Sequence, residues 1–178
     1  MSRCAILLRG INIGPNNRIP MAELRSLLTQ DGFADVATYL QSGNVVLSST
    51  GSPDAAARRC ESLIAQHFGL QIGSVVRTHG ELEAVMRADP LPEAAANPKG
   101  YQVTFLASAP DPSLTSRLAA VATPAERFAV IGREIYAWHP EGIARSRLAT
   151  LLAGRALTGT ATARNWITVT ALLSLTAD

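Results

Sequence analysis

Apolar and polar positions alternate along this chain in a repeating order. Arg3 to Leu8 reads as a short apolar strand. A Gly/Asn/Pro loop, Gly10 to Arg18, follows it and leads into a helix with Pro20 near its first turn and Met21, Leu24, Leu27 and Leu28 on one face. Gly32 is a fitting stop. Val36 to Leu40 and Asn44 to Ser48 then read as a hairpin around Gln41, Ser42 and Gly43. Ser52, Pro53 and Asp54 look like an N-cap, a first-turn proline and a dipole-compatible acid, and they open a helix through Ala56, Leu63, Ile64 and Phe68. Gly73 to Arg77 is predicted as a closing strand.

A capping-box pattern, Thr78 to Glu81, predicts a connecting helix that stops at Asp89 and Pro90. The proline-rich stretch Leu91 to Gly100 has the composition of a linker. The order then repeats. Tyr101 to Leu106 is a strand, and a helix entered at Asp111 and Pro112 carries Leu114, Leu118 and Val121. Phe128 to Ile131 and Glu134 to Trp138 form a second hairpin, followed by a helix around Leu148 to Leu152, a strand from Thr158 to Thr162 and a last helix capped by Asn165. The predicted class is α+β: two tandem ferredoxin-like βαββαβ subdomains with antiparallel sheets, at residues 1–77 and 101–178. Residues 78–100 are the connecting helix and linker, and a C-terminal helix ends the chain.

Composition narrows the function classes. With 178 residues, 47% hydrophobic and 17% charged, the chain can bury a full core without staples. The formal charge of +2 is too small for a general electrostatic grip on nucleic acid or membrane, so a charged ligand must be held locally. The apolar run from Cys4 is cut at Arg9, far short of a membrane span, and the expected location is cytoplasmic. Cys4 and Cys60 have neither metal-ligand nor redox spacing and read as small core hydrophobes. His67, His79 and His139 form no metal-ligand pattern and read as solvated or capping residues; no metal or cofactor is expected.

The predicted topology brings the end of the first strand beside the first hairpin turn. Arg9, Gly10 and Asn12 then lie close to Gln41, Ser42 and Asn44, all hydrogen-bonding groups around an arginine fork suited to phosphate or carboxylate. The plainer alternative is that these residues make turns. In the second half, the segment 142–147 and a segment after the last strand, 162–166, gather Arg145, Ser146, Arg147, Arg164 and Asn165 around helix N-termini as an anion cradle. There the alternative is capping by Ser146 and Asn165, with a carboxylate such as Glu141 balancing the arginines. The aromatic residues Tyr101, Phe105, Tyr136 and Trp138 read as packing.

Through LLRGINIG, MAELRSLL, TYLQSGNVVL and TARNWITV the chain resembles the bacterial family called domain of unknown function 1697. VTFL, ERFAVIGREIY and GIARSRL extend the likeness, which runs from about Cys4 to Leu175. The resemblance implies two ferredoxin-like halves and no established activity. Its motif residues fall on Arg9, Gly10, Asn12, Gly14, Gln41, Ser42, Gly43, Asn44, Ser146, Arg164, Asn165 and Trp166. This chain departs from it at Pro15 and Asn16, where glycine and lysine are usual, at Arg147 in place of lysine, and at Ala163 in place of threonine. The expected function is a binding module for a phosphorylated metabolite, nucleotide or short nucleic acid, held by Arg9, Gly10, Asn12, Gln41, Ser42, Asn44, Ser146, Arg147, Arg164 and Asn165. A hydrolase or transferase acting on a phosphorylated substrate and a structural or protein-interaction module are the alternatives. Oligomeric state is left open.

Overall fold

The computed structural model describes residues 1–153, 157 and 159–177. The chain divides into two compact units, Met1–Glu83 with Leu172–Asp178, and Ala84–Ala171. The division falls inside a helix, ahead of the proline-rich segment 91–100, and the end of the chain returns to the first unit.

In the first unit β1 (Ser2–Leu8), β2 (Ala34–Tyr39), β3 (Asn44–Ser49) and β4 (Ser74–Thr78) form one sheet in the order β2-β3-β1-β4. Every neighbouring pair is antiparallel. Helix α1 (Met21–Gln30) follows β1 and α2 (Pro53–Phe68) follows β3. Alternation along the strands sends Cys4, Ile6, Leu8, Val45 and Leu47 into a core shared with Leu24, Leu28, Cys60 and Ile64 of the helices. The start of α2 is as its sequence reads: Ser52 Oγ accepts from Ala55 N, Pro53 opens the first turn, and Gly69 closes the helix at φ 68°. Burial raises the thiol pKa of Cys4 to about 11 and that of Cys60 to about 12, so both are packing groups.

Helix α3 (His79–Ala88) begins at a complete capping box, with Thr78 N donating to Glu81 Oε2 at 2.8 Å and Glu81 N to Thr78 Oγ1 at 3.2 Å. Residues Pro92–Ala96 form a 3-10 turn with Ala94 buried, so the proline-rich stretch is folded.

The second unit repeats the plan. Strands β5 (Tyr101–Leu106), β6 (Arg127–Ile131), β7 (Glu134–Trp138) and β8 (Ala161–Asn165) pair antiparallel in the order β6-β7-β5-β8. Helix α4 (Leu114–Ala119) follows β5, α5 (Arg147–Ala153) follows β7, and α6 (Trp166–Thr176) follows β8. Leu106, Ile135, Ala137 and Ala161 meet Leu114, Leu118, Leu148 and Leu152 on one side of the sheet. On the other, Tyr101 stacks on Trp166 with ring centroids 4.6 Å apart. Tyr101 donates its hydroxyl to Asp89, and Tyr136 donates to Val85 O. The aromatic residues therefore pack, as their pattern predicts.

One strand is displaced from its expected place. The sequence puts the last strand at 158–162, with Arg164 in the segment beyond it; Thr158 lies outside the described residues. The strand runs instead to Asn165, because Gln102 and Val103 of β5 pair with Asn165 and Arg164. Arg164 is thus a strand residue, buried at 7% exposure. The resulting class is α+β, with two similar units of a four-stranded antiparallel sheet and helices.

Candidate functional site

Two clusters of polar side chains stand out, one in each unit. The first is built where β1 ends. Leu8 N donates to Gly43 O at 2.8 Å and Arg9 N to Gly73 O at 2.9 Å, so the root of the loop 9–18 is held on both sides. Asn12, at φ 54°, then joins the two loops. Its Oδ1 accepts from Ile19 N at 2.9 Å, while Nδ2 donates to Ile19 O at 3.0 Å and to Gln41 O at 2.8 Å. Asn17 closes the same loop through Nδ2 to Gly10 O at 3.1 Å.

The hairpin side is fixed as firmly. Asn44 is buried, with Nδ2 donating to Tyr39 O at 2.9 Å and to Ser42 Oγ at 3.0 Å. Gly43 has φ 80°, and a Cβ there would lie 2.9 Å from both Leu8 Cβ and Ile11 Cγ1. Only glycine permits that approach without displacement. The structure therefore brings Asn12 onto Gln41 and the residues flanking Arg9 and Gly10 onto Gly43. Asn12 and Asn44 are spent on framing, whereas Gly10, Gln41 and Ser42 are exposed and Arg9 is half-buried at the rim.

The second cluster is centred on Glu126, which the sequence did not single out. Ser146 is buried, and its hydroxyl donates to Glu126 Oε1, lies 3.0 Å from His139 Nδ1 and accepts from Ala149 N at 2.9 Å. His139 Nδ1 stands 2.8 Å from the same Glu126 oxygen, and Thr123 N donates to Oε2 at 2.9 Å. Glu126 is thus the carboxylate that meets Ser146, while Glu141 is exposed. Burial pushes the Glu126 carboxyl up, but hydrogen bonds from Ser146, Thr123 and His139 outweigh it and hold the group below the ordinary range.

His139 is corrected from a solvated residue to one 1% exposed, because its backbone N bonds to Gly100 O and its ring faces the acid. The only forward signal was Thr123 to Glu126, which has capping-box spacing. Nothing in the sequence ties that turn to positions 139 and 146. The geometry differs from a nucleophilic relay, in which the imidazole places one nitrogen on the serine and the other on the acid. Here Nδ1 faces both, and Nε2 is buried with no hydrogen-bond partner among the described residues. The cluster joins the turn before β6, the end of β7 and the start of α5.

The remaining residues of the second unit are dispersed in role. Asn165 Oδ1 accepts from Thr168 N at 2.9 Å and caps α6. Arg164 Nη1 donates to Thr162 Oγ1 at 2.7 Å and to Ala163 O at 2.8 Å, and burial lowers its pKa to about 10. Arg145 and Arg147 are exposed.

Elsewhere in the first unit, an open cavity of about 340 Å³ is lined by Phe33, Ala55 and the ion-paired Asp31 and Arg59. Among the described residues, no group of three or more His, Cys, Asp or Glu side chains could hold a metal ion. No helix there is long and apolar enough to cross a membrane.

A solved structure described as that of conserved bacterial protein SP0830 from Streptococcus pneumoniae is similar over 99% of both chains, with a TM-score of 0.80 and 23% identity. That likeness concerns the fold. No curated protein matches the chain. A family model described as "Protein of unknown function (DUF1697)" matches residues 1–136, which include the whole loop cluster of the first unit and Glu126. Since that span is most of the 178 residues, the chain belongs to the DUF1697 family.

Proposed function

We propose that this protein is a cytoplasmic binding module made of two ferredoxin-like halves, and that the loops 9–18 and 40–44 of the first half hold an anionic, phosphorylated ligand. The observation that carries the reading is the Asn12 bridge. One side chain fixes both loops against each other, and the groups left facing outward are Gln41, Ser42 and the backbone of Gly10, with Arg9 at their edge. Pre-ordered donors around a guanidinium fork suit a phosphate, since little ordering entropy remains to be lost on binding. Segments 9–18 and 40–44 contain Arg9 and Arg18 and no acidic residue.

Asn12, Asn44, Ser146, Asn165 and Arg164 serve this reading as framework, each bonded within its own unit; Arg147, next to Ser146, is exposed. The unpaired, buried cysteines are in keeping with a reducing compartment.

The test is a thermal-shift screen of nucleotides, sugar phosphates, polyanions and short oligonucleotides. A ligand at 100 times its Kd stabilises the native state by about 2.7 kcal/mol. The expected result is a shift that Arg9→Ala abolishes and Arg164→Ala, itself less stable, retains. No shift from any compound, or a shift that survives in Arg9→Ala, overturns the proposal.

A further inference from the structure

We infer that the ligand of this loop site is a nucleotide, a phosphate joined to a flat heteroaromatic base, rather than a bare phosphate or a sugar phosphate; the inference rests on the anion-binding reading above. Two large hydrophobic side chains stand in solvent at this rim, Ile13 at 75% exposure and Leu40 at 57%. Single exposed hydrophobics are ordinary, but these two are the chain neighbours of residues that the fold joins. Ile13 follows Asn12 and Leu40 precedes Gln41, and Asn12 Nδ2 donates to Gln41 O at 2.8 Å.

Leu40 also has φ 57°, a left-handed conformation unfavourable for a branched side chain, although most of that side chain is not buried in the fold. Backbone strain of this kind collects where a ligand uses the residue. The flanking chemistry is cationic and amide-rich, with Arg9, Arg18, Gln41 and Ser42 and no acid in either loop.

A base has two apolar faces and a hydrogen-bonding edge. Ile13 and Leu40 cover faces, Gln41 and Ser42 address the edge, and Arg9 with the exposed backbone of Gly10 takes the phosphate. A sugar phosphate leaves both hydrophobic side chains wet.

The experiment is a calorimetric or NMR titration of the full chain with adenosine monophosphate, cytidine monophosphate, ribose 5-phosphate and inorganic pyrophosphate. It is repeated with Ile13→Ser and Leu40→Ser, both at exposed side chains, and with Arg9→Gln. The better nucleotide is expected to bind at least tenfold more tightly than ribose 5-phosphate. Each serine variant is expected to weaken the nucleotide three- to tenfold while leaving ribose 5-phosphate unchanged, and Arg9→Gln to weaken both. Equal binding of nucleotide and ribose 5-phosphate, or serine variants that leave their ratio intact, overturns the nucleotide inference while the anion site stands. Failure of every phosphorylated compound to bind removes both.

Discussion

At Gly43 two constraints meet in one residue. Its φ of 80° lies where a Cβ is strained, and the space that Cβ needs is already filled by Leu8 and Ile11. Gly43→Ala therefore combines a left-handed penalty of roughly 1–2 kcal/mol with overpacking of roughly 1–3 kcal/mol. The expected loss, read from urea unfolding, is about 3 kcal/mol, and a loss below about 1 kcal/mol would show that the close approach is not structural. Leu40 presents the opposite case. It has the same sign of φ but an exposed side chain, so Leu40→Gly relieves strain and gives up little burial. Against this stands the greater freedom of glycine in the unfolded chain. The expected result is stability unchanged or up by as much as about 1 kcal/mol, together with weaker nucleotide binding. A residue costly to folding but needed for binding behaves in this way.

At the scale of elements, ends of helices were more legible than ends of strands. Ser52-Pro53-Asp54 and Thr78 to Glu81 name local contacts between residues three apart, and both form as written. The end of β8 is decided by partners on β5, some sixty residues away, and a local pattern could not place it. The Glu126 hub was hidden for the same reason. Its three groups come from separate segments and meet only after β6 and β7 pair.

The hub makes acid stability a test of that assembly. The carboxyl of Glu126 titrates lower in the folded protein than in the unfolded chain, so its contribution is fully present above the unfolded value of about 4.3 and is lost as pH falls through the lowered folded value. Glu126→Gln should be less stable than wild type by about 2 kcal/mol at pH 7, the scale of hydrogen bonds to a charged group. The gap should narrow below about pH 4. A gap constant from pH 7 to pH 3 would mean that the charge of Glu126 contributes nothing. Ser146→Ala removes both a bond to Glu126 and the cap on Ala149 N, and should cost about 2 kcal/mol at pH 7.

Across the whole molecule, the repeated order of elements was readable because each unit spells the same periods, although its residues differ. The correspondence extends to single positions. Arg77 pairs with Ala5 and is followed by Thr78, the cap of α3; Arg164 pairs with Val103 and is followed by Asn165, the cap of α6. Both arginines are buried, a feature that strand alternation alone does not forecast for a charged residue. Composition speaks most plainly at the segment 91–100, where three prolines counted from Pro90 suggest a linker. In the structure that segment belongs to the second unit, with Ala94 and Gly100 buried. His139 N bonds to Gly100 O at 2.9 Å, and a Cβ at Gly100 would lie 2.8 Å from His139 O.

The chain contains a single lysine, Lys99, inside this segment, so a lysine-specific endoprotease has one site at which to ask whether it is a tether. Lys99 is exposed, but its neighbour Gly100 is fixed on both sides: its N donates to Asn97 O at 3.0 Å and its O accepts from His139 N. A protease must draw an extended stretch of backbone into its cleft, so cleavage requires these bonds to open first. The expected rate for the native chain is lower than for the unfolded chain by roughly 100-fold or more, rising with urea as the second unit unfolds. Cutting that is fast in buffer and indifferent to urea would make 91–100 a mobile tether after all. The hydrogen bonds at Gly100 would then have to be transient.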